Sequence, residues 1–168
     1  MGGYVAGSCA TARPVAAGIA VAGRCPVLAL DYRLAPESPF PAALDDAVAA
    51  FRWMVAQGFA ADRVAIAGDS AGGGLAVATA VALRDQGGPL PGALLCFSPW
   101  TDLTMSGDSC TGRAKVDPIV SGAALRSFAD AYAPGESLRA PLLSPTPRRN
   151  PNQPPVDGES STSPGNRA

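Results

Sequence analysis

A chain of 168 residues that is 47% hydrophobic and 16% charged can bury one core, so a single globular domain is expected. Thirteen basic and 14 acidic residues leave a formal charge of −1, with no basic footprint for nucleic acid or an anionic membrane surface. The four cysteines, Cys9, Cys25, Cys96 and Cys110, lack C-x-x-C spacing and the chain has no histidine, which argues against a metal site and for reduced thiols.

The first predicted element is a helix over residues 11–23, weakened by Gly18. Its apolar part, residues 15–23, sits behind Arg13-Pro14 and is too short to span a bilayer, so it reads as a helix packed on a sheet. Ala6 stands where myristoylation needs Ser or Thr, and a cytoplasmic protein without anchor is expected. Residues 26–32, 63–67 and 93–98 are apolar runs without polar alternation, bounded by Gly, Pro or Asp, and read as buried parallel strands that include Cys96.

A second helix is predicted over 41–57, with Pro41 suited to the first turn and Leu44, Ala47, Val48, Phe51 and Val55 on one face. Asp45 and Asp46 read as solvated residues favoured by the helix dipole. Further helices are predicted over 71–86 and 121–132. Strands alternating with helices imply an α/β fold, a parallel sheet wrapped on both faces. From Ser144 onward the chain has six prolines and no aromatic residue, too little apolar surface to offset its ordering entropy. The expected division is a folded domain over 1–143 and a disordered tail over 144–168.

Gly68-Asp69-Ser70-Ala71-Gly72 matches G-x-S-x-G between a predicted strand and a predicted helix. Such a tight elbow puts the serine backbone in a strained conformation, calls for glycine two residues before and two after, and aims the next N–H at an oxyanion. Ser70 is then the candidate nucleophile, Ala71 an oxyanion donor, and Asp69 a structural hydrogen-bonding residue. Phosphate-binding readings fail on residue identity: neither G-x-G-x-x-G nor G-K-[ST] is present in this glycine-rich run.

Tyr32-Arg33-Leu34-Ala35-Pro36-Glu37, then Pro39-Phe40-Pro41-Ala42-Ala43, Gly68-Asp69-Ser70-Ala71-Gly72-Gly73 and Ser98-Pro99-Trp100-Thr101-Asp102-Leu103 occur in this order, and together the chain resembles the hormone-sensitive lipase family of α/β-hydrolases. The resemblance runs from Met1 to about Pro145. It implies a partial α/β-hydrolase fold and hydrolysis of small carboxylic esters without metal or cofactor. The family's H-G-G-G loop has its counterpart in Met1-Gly2-Gly3-Tyr4, which makes Gly2 and Gly3 candidate oxyanion donors. With no strand before them, these glycines are expected to fray.

The resemblance also implies a triad acid and a histidine further along, and neither has a counterpart before the proline-rich segment; relative to the family the chain looks truncated at both ends. Lys115, the only lysine, reads as a solvated residue, and Asp117 resembles a family loop motif that is not the triad acid. In the family's sheet one strand lies between those matching 26–32 and 63–67. Its absence is expected to leave backbone groups unpaired at about 1–3 kcal/mol each, and so a marginally stable or aggregation-prone chain. Three functional readings follow: an esterase with weak or absent turnover, a small-ligand-binding module like the plant gibberellin receptors, or a chain completed by a separate piece. Trp100 and Phe51 read as pocket lining or plain core. Oligomeric state leaves no mark in the sequence.

Overall fold

The computed structural model describes residues 3–107 and 121–145. Gly2, Cys110, Lys115, Asp117 and residues 146–168 lie outside them.

Helix α1 (Cys9–Gly23) begins two residues before the expected start because Ser8 and Thr11 form a reciprocal cap. The Thr11 N–H donates to Ser8 Oγ at 3.4 Å and the Ser8 N–H donates to Thr11 Oγ1 at 2.9 Å, satisfying two N-terminal donors. The helix ends at Arg24, whose φ of 48° is left-handed. None of its residues is buried, so the expectation of a helix packed on a sheet is not met. Apolar composition is not enough; the helix needs a sheet beneath it, and the described strands lie elsewhere.

The reason is visible in residues 26–32. They form no strand: no backbone hydrogen bond joins them to another described residue, and Val27, Leu28 and Leu30 are exposed. The predicted first strand is therefore corrected to an unpaired segment. A strand exists only through a neighbour's backbone, and none among the described residues lies beside this one.

Helix α2 (Ala42–Ala56) follows the expected face, burying Leu44, Val48 and Phe51 with Ala47 and Val55 partly covered. Asp46 is not merely solvated, as expected from its place in the first turns. Its carboxylate accepts from Arg33 Nε and Nη2, at 2.8 Å for the latter, and from the Arg33 backbone N–H at 2.9 Å. That bidentate pair anchors α2 to the loop entering it.

A short 3-10 turn (Ala61–Arg63) replaces the first residue of the second predicted strand, and β1 spans Ala65–Asp69. Helix α3 (Ala71–Asp85) returns over the sheet to β2 (Ala93–Phe97), which pairs parallel with β1 from Ala65 opposite Ala93 to Asp69 opposite Phe97. Helix α3 packs on one face of this pair, where Ile66, Gly68 and Cys96 lie, and on α2. On the opposite face Ala67, Leu95 and Phe97 stay exposed. Helices on both faces and fully buried strands were expected; one covered face is found among the described residues. The Cys96 thiol is accordingly half-buried and free, as are Cys9 and, in the open, Cys25.

Helix α4 (Gly122–Tyr132) is capped by Ser121, whose hydroxyl accepts from Ala124 N–H at 3.1 Å. The core sits between α2, α3 and α4, with Tyr4, Leu83, Leu103, Tyr132 and Leu143 all buried. Ser144 belongs to this unit rather than to a tail: its hydroxyl donates to Leu138 O at 2.6 Å and accepts from Leu103 N–H at 2.9 Å. No described helix is long and apolar enough to cross a membrane.

Candidate active site

Ser70 stands between the last residue of β1 and the first of α3 with φ 50° and ψ −120°. A β-carbon pays for that conformation in steric strain, which surrounding contacts must hold in place. Three backbone hydrogen bonds do so. The Ser70 N–H donates to Phe97 O at 2.9 Å, while Ser70 O accepts from Gly74 N–H at 3.1 Å and Trp100 N–H at 2.8 Å. The elbow is thus tied to the end of β2 and to the loop after it.

The glycines make room for this turn, though not all as expected. A β-carbon on Gly68 would lie 2.2 Å from Gly72 O, one on Gly73 2.8 Å from Pro99 Cβ, and one on Gly74 2.2 Å from Trp100 O. At Gly72 nothing lies within 4 Å, so the expected steric need there is not found. Close packing is required one and two residues further along, where α3 crosses the loop bearing Pro99 and Trp100.

Ala71, fully buried, opens α3, and its N–H has no acceptor within the helix. It points from the same helix end whose dipole favours a negative charge. Ser70 is half-buried, and its hydroxyl makes no hydrogen bond to any described residue. Asp69, expected to act as a structural hydrogen-bonding residue, is exposed at the strand end with no such bond among the described residues. Its carboxylate instead lies close enough to Tyr32 to raise that phenol's pKa, after burial, the larger cause.

Gly3 does not fray. It is buried with φ 49°, and Tyr4 beside it is buried with φ 65°. Tyr4 O accepts from Ala35 N–H at 2.9 Å. The Tyr4 ring stacks on Tyr132 with centroids 3.8 Å apart, and its hydroxyl reaches the first turn of α3: a β-carbon on Gly74 would lie 3.0 Å from it. Packing thus supplies what a preceding strand was expected to supply. Gly2 lies outside the described residues.

Sequence reasoning missed the support behind Ser98-Pro99-Trp100-Thr101-Asp102-Leu103. Burial alone pushes the Asp102 carboxyl upward, yet the Thr104 hydroxyl, the Ser106 hydroxyl at 2.7 Å and the N–H groups of both residues bind the anion, and the pKa is lowered on balance. Asp followed by Thr and Ser two and four residues later was a legible signal of a side-chain-capped turn. Trp100 belongs to that turn, its Nε1–H donating to Asp102 O at 3.0 Å, and Phe51 belongs to the α2 core. A groove of about 850 Å³ is lined by Phe40, Leu44, Trp53 and Gln86 among others, on the α2 side and without any elbow residue. No group of three or more metal-binding side chains occurs among the described residues.

A parallel pair of strands with a strained serine at the turn into the covering helix defines the α/β-hydrolase class. Residues 1–156 match the family described as alpha/beta hydrolase fold, and the chain belongs to that family, on its hormone-sensitive lipase side. It is 49% identical over 144 residues to an acetyl-hydrolase of Streptomyces hygroscopicus, covering 86% of this chain and 48% of that protein. It is 38% identical over 149 residues to the carboxylesterase NlhH of Mycobacterium tuberculosis, covering 86% and 46%. A crystal structure of an esterase from the bacterial hormone-sensitive lipase family superposes with a TM-score of 0.84 at 52% identity, over 86% of this chain and 49% of that one. The chain spans about half the length of these relatives.

Proposed function

We propose that this chain carries the nucleophile and oxyanion half of a serine carboxylesterase acting on small carboxylic esters, with Ser70 as nucleophile and the N–H groups of Ala71, Gly3 and Gly2 as oxyanion donors. The observation that carries the reading is the Ser70 backbone, held at φ 50° directly before the free N–H end of α3. Ser70 Oγ attacks the ester carbonyl, the oxyanion draws on those N–H groups, and the alcohol departs to leave an acyl-serine that water hydrolyses.

The serine proton needs an acceptor, and none of the 168 residues is histidine. Within this chain the proton passes to solvent, so turnover is feeble, limited to the roughly 10³- to 10⁴-fold over water that an oxyanion hole and binding supply. The absence of histidine also favours a second reading, in which the same elbow holds a small ligand without acyl transfer.

The test supplies the missing base from outside. With p-nitrophenyl acetate, added imidazole is expected to accelerate formation of acetyl-Ser70, read by peptide mass spectrometry, and p-nitrophenolate release falls to the imidazole-only rate in Ser70→Ala. No acyl transfer to Ser70 under any condition, with saturable ligand binding retained, would favour the second reading. Fast hydrolysis without imidazole, lost in Ser70→Ala, would mean that a base within the chain has gone unrecognised.

A further inference from the structure

Gly3 and Tyr4 are held in left-handed backbone, and the side chains that hold them come from α4, far along the chain. A β-carbon on Gly3 would sit 2.6 Å from the Phe128 ring, so that ring lies directly against the Gly3 backbone. One turn later on the same helix face, Tyr132 lies flat on Tyr4, with ring planes 4° apart.

Tyr132 is itself braced from behind. The Phe40 ring meets it edge-on at 5.9 Å, and the Phe40 N–H donates to Tyr132 O at 2.6 Å. Tyr4 and Tyr132 are only 3% and 2% exposed, so the stack is set in the core rather than laid over it. On its far side Tyr4 reaches the backbone of α3 at Gly74 and leans towards Trp100, with centroids 6.2 Å apart. One helix therefore presses the Gly3–Tyr4 turn towards the helix that Ser70 opens.

We propose that Tyr132, assisted by Phe128, is a positioning residue for ester chemistry: it acts through Tyr4 to hold the Gly3 N–H in place as an oxyanion donor. The proposal rests on the esterase reading above. Stacking, not the Tyr132 hydroxyl, does the holding. A donor that must lie within hydrogen-bond reach of a developing oxyanion loses most of its effect on a displacement of about 1 Å.

Acetyl transfer from p-nitrophenyl acetate to Ser70, with imidazole as external base, is measured on the 168-residue chain and its variants. Tyr132→Leu is expected to slow transfer about 10- to 100-fold with half-saturation by the ester little changed, whereas Tyr132→Phe keeps the parent rate. Hydrogen exchange supplies the readout that a general core defect would not give: the Ala35 amide, which donates to Tyr4 O, loses protection in Tyr132→Leu while the α3 amides keep theirs. Phe128→Ala, at a half-buried position, serves if Tyr132→Leu does not fold, and is expected to slow transfer several-fold.

Parent-like transfer in a folded Tyr132→Leu or Phe128→Ala chain would overturn the proposal. So would α3 opening together with the Ala35 amide, since Tyr132 would then be ordinary core. Release of p-nitrophenolate at the parent rate in Ser70→Ala would instead sink the esterase reading, and the exchange data would still decide whether α4 clamps the turn.

Discussion

A β-carbon on Gly68 would lie 2.2 Å from the carbonyl oxygen of Gly72, closer than any tolerated contact, while a β-carbon on Gly72 itself would meet nothing within 4 Å. The elbow therefore makes unequal demands on two glycines that its sequence pattern treats alike. Gly68→Ala must push the strand end away from the first turn of α3, where both partners are backbone and neither can rotate aside. It is expected to cost about 3 kcal/mol, the upper range for overpacking a filled site. Gly72→Ala is expected to be neutral or to stabilise by up to about 1 kcal/mol, as alanine replaces glycine in a helix. Chemical denaturation of the two variants beside the parent checks this, and equal losses would mean that the elbow relaxes differently from the structure.

Alkaline pH is expected to weaken the fold through its tyrosines. Burial is the main cause that raises the pKa of Tyr4, Tyr32 and Tyr132, which are all the tyrosines of the chain. A raised folded-state value means that the fold favours the neutral phenol. The contribution is complete below the unfolded value of about 10 and is lost as pH rises from there towards the folded values. Phenolate absorbance is therefore expected to lag behind that of free tyrosine above pH 10 and to appear together with loss of helical circular dichroism. Titration of all three phenols near pH 10 with the helices intact would contradict the buried stack.

Acid acts in the opposite sense through two carboxylates. Hydrogen bonds from the Arg33 side chain are the largest cause lowering the pKa of Asp46; at Asp102, burial raises it, but donors from Thr104 and Ser106 outweigh that effect. Both groups stabilise the fold fully above the unfolded carboxyl value of about 3.9, and that stabilisation is lost as pH falls through their lower folded values. Tm is expected to fall as pH drops below about 4, and Asp102→Asn to flatten that fall. An unchanged slope in Asp102→Asn would assign the acid sensitivity elsewhere. Added salt should matter more for Asp46, because Arg33 is exposed.

Helices were legible wherever the apolar face and the boundary residues were both local: α2, α3 and α4 lie within one residue of their expected ends. The start of α1 was missed because Thr11, the partner of Ser8, was counted as the first helical residue instead of the third. The elbow was legible because G-x-S-x-G between a strand and a helix leaves few geometries. The role of α4 was not. Tyr132 meets Tyr4 across 128 positions of sequence, and no local pattern encodes a contact of that range. Residues 26–32 failed for a related reason: their composition fits a strand, but composition names no neighbour.

That unpaired segment provides a last expectation. Residues 26–32 have the sequence of a buried parallel strand, yet Val27, Leu28 and Leu30 face solvent and the backbone has no partner among the described residues. Tyr32 and Asp69, where the segment and β1 end, still sense each other electrostatically, so those two ends lie near each other without being joined. Amides of 27–32 are therefore expected to exchange with solvent far faster than those of β1 and β2, whose ladder is complete between them. Apolar side chains beside unpaired N–H and C=O groups also make a template for pairing with other chains. Leu28→Lys, at a side chain that is 51% exposed, is expected to reduce concentration-dependent light scattering while changing stability by less than about 0.5 kcal/mol. Strong exchange protection over 27–32, or a large stability loss in Leu28→Lys, would mean that the segment is paired and covered in solution.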